Sequence, residues 1–264
     1  MESHVHHLLS LSSIFLVIPS RFHADLKTFI PDNVRMDIIN AFKQKFGIEQ
    51  QCFNLDIIKS LLDIIQSLAS LVQKLPDNSI SGKIMEQELI TRYLEPVLSS
   101  LLDDPAEDAF FRWTATINEE CRSANAIAIR KKRSDSCISY LDECSWEPMQ
   151  GFGAIKCHGE ADNKHAIGKD LLRLGIFAKN AIDTHNLDSI LVFQAIRRSI
   201  FFYIFTLENA VMYVMFEIGE VEVPARLLGL ACYIEQINVL LDMLYIYDQL
   251  CHTADNDRSV TLQQ

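Results

Sequence analysis

The chain has 264 residues, of which 49% are hydrophobic and 22% are charged, and this balance is typical of a globular protein rather than a disordered one. The formal net charge of −11 means that the surface as a whole repels phosphate backbones, so a protein that coats DNA is disfavoured. An enzyme that uses a metal ion is not excluded, because a metal site is itself acidic and needs basic residues only along the path of its substrate.

Seven cysteines are scattered along the chain without a C-x-x-C pair or a zinc-like spacing, and no N-x-Ser/Thr glycosylation site occurs. These features favour a reducing, intracellular location, in the nucleus or the cytoplasm. The apolar run at residues 8–19 lacks the basic residues and the cleavage site of a signal peptide, and it is shorter than the ~20 apolar residues that span a bilayer. We therefore expect a buried strand or a helix start there and no membrane contact, with secretion as the less favoured alternative.

Helical spacing of apolar residues dominates the chain up to about residue 104. The clearest face consists of Ile58, Leu61, Leu62, Ile65, Leu68 and Val72. Such a stripe predicts a helix packed against the core. Pro76 then interrupts the pattern, and a further helix is predicted from Ser81 and Gly82 through Leu98. Residues 1–104 are therefore expected to form a mainly helical N-terminal region.

After Pro105 the pattern changes to short runs of β-branched and aromatic residues. These runs predict strands at residues 137–141, 152–157, 190–196, 200–206 and 211–223. A helix is predicted between the second and third strands, at about residues 164–182, with Asp162 or Asn163 as its cap, and a long helix closes the chain after Pro224. The predicted fold is mixed α/β: N-terminal helices, then a small mixed sheet flanked by helices in residues 105–253, then a flexible tail at 254–264.

The stretch with the most chemical content is residues 130–170. Asp135 opens one predicted strand, and the next strand, GFGAIKC, carries Lys156. Burial of an unpaired ammonium is expensive, so a lysine within an apolar strand needs an acidic partner. Residues two apart on a strand point to the same face, so position 154 shares the face of Lys156.

The order of segments in this region resembles the PD-(D/E)XK nuclease superfamily, and more closely a group of uncharacterised fungal proteins that carry an R-P-D strand, then G-(F/Y)-G-E-(V/I)-K and an amphipathic helix. The matching segments are FRW at 111–113, RSD at 133–135, GFGAIK at 151–156, the helix at 164–183 and LVFQ at 191–194. The resemblance implies a restriction-endonuclease-like core. It also implies that Asp135 ligates Mg²⁺, which activates water against a phosphodiester, and that Lys156 stabilises the developing charge.

The chain departs from the family pattern at two positions. Ser134 stands where the family has proline, which mainly shapes the backbone. Ala154 stands where the family has the second metal-binding acid, and a methyl group cannot ligate a metal. One hypothesis is therefore a degenerate or impaired Mg²⁺-dependent nuclease-like domain, in which activity would require a replacement acid from Glu160, Asp170 or Glu88. The alternative is a non-catalytic protein-interaction module, in which Asp135 and Lys156 form a simple ion pair and the N-terminal helices bind a partner.

Basic residues suggest where nucleic acid would contact such a domain. The one dense basic run consists of Arg130, Lys131, Lys132 and Arg133, directly before Asp135. Lys169 and Arg173 lie four residues apart on the predicted helix after the motif, so they share a helix face. These six residues are the candidate nucleic-acid contacts, although a solvated loop and an ordinary charged helix face are the plainer interpretations.

Overall fold

The computed structural model describes residues 2–19, 32–48, 55–114, 134–142, 145–208 and 212–251. Its helices are α1 (Glu2–Leu11), α2 (Asp32–Lys45), α3 (Leu55–Lys74), α4 (Glu86–Glu88), α5 (Glu95–Leu102), α6 (Lys164–His185), α7 (Leu230–Ile234) and α8 (Ile237–Leu250). A π-helical segment (Leu89–Leu94) joins α4 to α5, and 3-10 turns occupy Pro105–Glu107 and Leu227–Gly229. Its strands are β1 (Ile14–Val17), β2 (Ala109–Trp113), β3 (Ser136–Asp142), β4 (Ser145–Lys156), β5 (Ser189–Ile196), β6 (Ser199–Glu208) and β7 (Met212–Glu222).

The described strands form one mixed sheet in the order β1-β7-β6-β5-β4-β3-β2. β4 and β5 are parallel and are joined by α6, as expected for a strand, helix, strand crossover. β1 also pairs in parallel, with β7, whereas the other neighbouring strands are antiparallel. The expected mixed α/β fold is therefore confirmed.

Helices cover both faces of the sheet. Alternate residues of β4 show this, because Ala154 belongs to the core under α6 whereas Ile155 belongs to the core on the opposite face. Leu174 and Phe177 of α6 contribute to the first core, and Leu9 of α1 joins them. The larger core on the other face is built against α2, α3, the π-helical segment, α5, α7 and α8.

Most of the strand boundaries predicted after Pro105 agree with the structure to within two residues, but β4 begins seven residues earlier than the run at 152–157 predicts. Asn163 caps α6, since its side chain accepts a hydrogen bond from the backbone N–H of Ala166 at 3.1 Å. The closing helix was expected to be continuous, but it is divided into α7 and α8. Gln236 lies at the break between the two helices. Its side-chain oxygen accepts a hydrogen bond from the Glu222 backbone N–H, and its side-chain N–H group donates to the backbone carbonyls of Glu222 and Cys232.

The apolar run at residues 8–19 forms the end of α1 and the strand β1, and Ile14, Leu16 and Val17 are buried. β1 thus joins the same sheet as the strands that follow residue 104, and helices from both sides of that boundary share one core. The division into an N-terminal region and a core domain stays a prediction, and the expected tail lies outside the described residues.

No single helix in the described ranges is long and apolar enough to cross a membrane; the bent pair Leu227–Ile234 and Ile237–Leu250 meets that test only jointly.

The stripe expected to anchor α3 in the core is largely exposed, which corrects the sequence-based prediction. Ile58, Leu62 and Ile65 are 54%, 60% and 57% exposed, whereas Ile64 and Leu71 are buried. Helical periodicity identifies an apolar face but does not say what covers it, and α3 has apolar residues on two faces.

Asp63 on α3 carries a pKa raised to about 6, because burial penalises its charge; Asp248 and Asp104 add to the shift and Lys59 opposes it. A pKa above the unfolded value means that ionisation opposes folding, and that this penalty grows as the pH rises through the folded pKa. Asp63→Asn should therefore raise the free energy of unfolding by about 1 kcal/mol at about pH 8, after allowance for solvent screening. The gain should vanish at about pH 3, below the ordinary aspartate pKa of 3.8, where the carboxyl group is largely protonated in both states.

Urea denaturation of Asp63→Asn at these two pH values is the measurement. The matched control is Asp77→Asn, since Asp77 is exposed after the end of α3. A gain that is larger at the lower pH would contradict the assignment of a raised pKa to Asp63.

Candidate active site

Asp135 lies against β4 beside the motif positions. Its backbone N–H donates to the Gly153 carbonyl at 2.9 Å, and its carboxylate Oδ2 accepts a hydrogen bond from the Ile155 N–H at 2.7 Å. The carboxylate is therefore held next to Ala154, the position that the family fills with an acid. The strands thus place the Asp135 carboxylate beside the strand segment that ends in Lys156, as the sequence predicts.

Lys156 ends β4 and points toward α6. Its Nζ lies 2.8 Å from Asp170 Oδ2 and 3.3 Å from a carboxylate oxygen of Glu160. The Asp170 side chain is 7% exposed and that of Glu160 is 56% exposed, so Asp170 is the buried partner and Glu160 the solvated one. The acidic partner that Lys156 needs is therefore supplied by the helix.

Arg173 connects Asp170 to Asp135. Its Nη2 lies 3.2 Å from Asp170 Oδ1 and 3.9 Å from Asp135 Oδ2, so one guanidinium nitrogen faces both carboxylates. We call these five residues, Asp135, Lys156, Glu160, Asp170 and Arg173, the ion-pair network. Three carboxylates and two cations give it a formal charge of −1, which leaves little unbalanced negative charge to attract a divalent ion.

The surroundings of Asp135 and Lys156 shift the pKa of both side chains. The pKa of Asp135 is raised, chiefly because burial penalises its charge and with a further contribution from the charge of Asp170; the Ile155 N–H and Arg173 oppose this shift. For Lys156, burial acts to lower the pKa, but the hydrogen bonds and charges of Asp170 and then Glu160 outweigh it, so the pKa is raised. Lys156 therefore stays an ammonium ion at neutral pH and acts as a fixed positive charge.

Ala154 sits in the middle of this arrangement and is fully buried in the core beneath α6. Gln194 is its partner in the parallel pairing of β4 with β5, and the Gln194 side-chain N–H donates to the Ile167 carbonyl of α6 at 2.9 Å. This bond ties the start of α6 to the sheet over the site. Ala154 and Gln194 thus place a methyl group and an amide on the adjacent strands beneath α6, whereas a metal site would need carboxylates there.

The described residues do not fit Mg²⁺. Among them, no group of three or more His, Cys, Asp or Glu side chains is arranged to hold a metal ion. Asp170 is occupied by Lys156 and Arg173, and Asp135 by the Ile155 N–H with Arg173 nearby. Mg²⁺ requires several oxygen ligands in an octahedral arrangement, and here two cationic side chains face the carboxylates instead.

The other predicted site residues are distributed differently. The π-helical segment after Glu88 packs through Leu89 and Tyr93 into the core on the opposite face of the sheet. Glu88 pairs with Arg92 at 3.2 Å, so the structure does not bring Glu88 into the ion-pair network. Lys169 is exposed on α6, whereas Arg173, predicted to share its nucleic-acid face, turns inward into the network. Arg130, Lys131, Lys132 and Arg133 lie outside the described residues.

The sequence carries a signal that Asp170 is buried. Asp170 follows Ile167 by three residues and precedes Leu174 by four, so it lies on the apolar face of α6. An acid on that face must find a cation, and Lys156 is the one lysine of the strand beneath. The strand pattern and the family resemblance predict Asp170 only as a replacement metal ligand.

Comparison of the chain with family models, with curated proteins and with solved structures found no match. The nuclease resemblance therefore depends on the order of short segments along the chain and on the placement of Asp135, Ala154 and Lys156. It stays a prediction.

Proposed function

We propose that this chain contains a degenerate nuclease-like domain, which keeps the charged scaffold of a Mg²⁺-dependent phosphodiesterase but does not use a metal ion to hydrolyse phosphodiesters. One observation carries the proposal: Arg173 faces both Asp135 and Asp170 beside the alanine that replaces the second acid. A permanently charged guanidinium thus supplies the positive charge that a metal ion would otherwise bring to these carboxylates.

The physical reason is the balance of charge in a partly buried site. A nuclease of this type leaves at least two carboxylates unneutralised so that Mg²⁺ can bind between them. Here Lys156 and Arg173 neutralise the carboxylates from within the chain, and the Arg173 side chain is only 18% exposed. Binding a metal ion would require the guanidinium to move away and leave its partners.

The hypothesis that a migrated acid preserves activity has less support. Glu160 contacts Lys156 from the solvent side, and no contact joins it to Asp135 among the described residues. Asp170 is near enough to influence Asp135, but both of its oxygens face cations. Neither acid is available as a free oxygen ligand.

The proposal predicts that metal binding can be restored only by changing two residues together. Ala154→Glu supplies the missing acid, and Arg173→Ala removes the competing cation and makes room for the longer side chain. The double variant should bind Mn²⁺ with a dissociation constant on the order of 0.1 mM, as expected for a site with two carboxylates, whereas the natural protein should show no saturable binding. Isothermal titration calorimetry and the rise in melting temperature with Mn²⁺ are the measurements.

The matched control is Ala154→Gln with Arg173→Ala, which has the same shape without the added charge and should not bind Mn²⁺. A nuclease assay with Mg²⁺ or Mn²⁺ on single- and double-stranded DNA and RNA completes the test. Cleavage by the natural protein that is lost in Asp135→Asn would overturn the proposal and favour an active site with a migrated acid.

A further inference from the structure

A cleft of about 280 Å³ opens beside the end of β7. It is lined by the loop after α3, the turn between β5 and β6, the end of β7 and the segment that leads into α7 and α8. Its volume is close to the lower end of the ~300–1,000 Å³ of ligand pockets, so it has room for a small molecule. The polar side chains of the lining are those of Ser79, Arg198, Glu222, Arg226, Cys232 and Gln236.

The lining carries a positive charge, although the chain as a whole is acidic. Of the described residues that line the cleft, Arg198 and Arg226 are two cations and Glu222 is the one carboxylate, so the formal charge of the cleft is +1. The whole chain carries −11. A local excess of positive charge on an acidic protein attracts anions to that place, while the rest of the surface repels them. The ligand for which the cleft is suited is therefore an anion.

Arg226 is the cation that is available to a ligand. It is exposed, and its guanidinium makes no hydrogen bond or ion pair with any part of the chain that the structure describes. Its backbone is fixed, because its carbonyl accepts from the Gly229 N–H at 2.9 Å and the Leu227 N–H donates to the Pro76 carbonyl at 3.1 Å. An unpaired guanidinium on a fixed backbone offers its parallel N–H donors to an oxyanion.

Arg198 is the second cation, and its side chain is held in place by the protein. Its Nη1 donates to the Val223 carbonyl at 2.6 Å, and its Nη2 lies 3.2 Å from Glu222 Oε1. The Arg198 side chain is only 26% exposed. A guanidinium has more N–H donors than these two bonds use, so Arg198 can also donate to a ligand. The same ion pair neutralises the carboxylate that would otherwise repel an anion.

Hydrogen bonds within the chain fix the walls of the cleft. The Gln236 side chain accepts from the Glu222 N–H at 2.6 Å and donates to the carbonyls of Glu222 and Cys232 at 3.1 and 2.9 Å. Gly229 lies against Pro224, because a Cβ added at Gly229 would come within 3.0 Å of the Pro224 Cβ. A ligand therefore does not have to order these walls when it binds, which lowers the entropic cost of binding.

We propose that this cleft binds a small molecule through a phosphate group, with Arg226 and Arg198 as charged donors and the Ser79 hydroxyl as a neutral one. The three donors belong to separate segments, so they approach a ligand from different sides. A phosphate group has acceptor oxygens in several directions, whereas the two oxygens of a carboxylate lie in one plane. At ~30 Å³ for each water-sized atom, its ~5 heavy atoms fill about half of the cleft, which leaves room for a small organic part.

Cys232 provides a reporter within the cleft, because its thiol is free and exposed there. Iodoacetate and iodoacetamide alkylate thiols by the same reaction but differ in charge, so an equimolar mixture reports the local potential. The ratio of carboxymethyl to carboxamidomethyl groups at Cys232, measured by mass spectrometry, should fall about threefold in Arg226→Gln. The charge-matched control is Lys45→Gln, which should leave the ratio unchanged, since Lys45 pairs with Glu208 at the other end of β6 from Arg198.

The line width of inorganic phosphate in phosphorus NMR measures binding directly. The natural protein should broaden the line, with a dissociation constant on the order of 1 mM, as expected for a small ion in an open cleft. Arg226→Gln should weaken binding about tenfold, because the charge-assisted bonds are lost. Glu222→Gln should strengthen binding about threefold, because it removes the negative charge of the lining, and a misfolded protein would not show such a gain.

The results that overturn the proposal are distinct. Equal broadening by the natural protein and by Arg226→Gln, or an equal ratio of the two alkyl groups at Cys232 in both, overturns the anion site. Succinate that displaces phosphate at a concentration below that of phosphate itself overturns the choice of phosphate over carboxylate. None of the described residues that line the cleft belongs to the ion-pair network, so these outcomes are independent of the nuclease and metal assays.

Discussion

Replacing Asp170 with alanine should lower the free energy of unfolding by about 3 kcal/mol near pH 7, because removal of one partner from a buried ion pair leaves uncompensated charge behind. Asp170 is the buried member that pairs with Lys156 and with Arg173, so its loss affects both cations at once. Urea or thermal unfolding monitored by circular dichroism gives the measurement.

Glu160→Ala provides the matched control, since it removes the exposed acid that contacts the same lysine. It should cost less than about 1 kcal/mol, as is usual for a solvent-exposed ion pair. Equal losses from the two variants would mean that the network is solvated as a whole and that the burial of Asp170 carries no energetic weight. Replacement of Lys156, Asp170 and Arg173 together with apolar residues should recover most of the lost stability.

The second large effect is expected at Gly153. A Cβ atom added there would collide with the Phe193 ring and with the Ser136 side chain, both in the adjoining strands. Because Phe193 and Ser136 are both buried, the clash cannot be relieved by moving a side chain into solvent. Gly153→Ala should therefore cost about 3 kcal/mol of unfolding free energy or prevent folding, as overpacking in a core does.

Gly159→Ala tests whether this effect is specific to the strand. Apart from Gly159 itself and its two neighbours in the chain, no residue has an atom within 4 Å of a Cβ built at Gly159, which lies in the loop after β4. That variant should unfold at the same urea concentration as the natural protein, within experimental error. A Gly153→Ala protein of unchanged stability would show that β4 and β5 are less closely packed than described.

The strands and the helix of the α/β region could be predicted because local signals and tertiary packing agree there. β5 and β6 are mostly apolar runs that are largely buried on both faces, and α6 has both an apolar face and a capping asparagine. The sequence pattern does not predict the start of β4, because its first half, SWEPMQ, contains a proline and polar residues. Pairing with β3 outweighs this weak propensity, since β3 and β4 pair from Asp142 and Ser145 onward.

The candidate site was only partly predictable. The strand pattern was enough to place Ala154 on the face of Lys156, because that relation depends on spacing alone. The orientation of Arg173 into the network could not be predicted from the sequence. A surface lysine–arginine pair and an arginine buried in a network have the same sequence spacing. The placement of Glu88 away from the network was not predictable for a similar reason: helical periodicity does not specify which face of the sheet a helix covers.

The parallel pairing of β1 with β7 has a consequence for how the molecule assembles. Ile14 is aligned with Tyr213, so nearly two hundred residues separate the two partners along the chain. During synthesis the β1 segment leaves the ribosome long before β7, so the strand edge with which β1 pairs does not exist until β7 has been made. Contacts of such long range slow folding, so the growing chain must keep an apolar segment from aggregating while it waits for its neighbour.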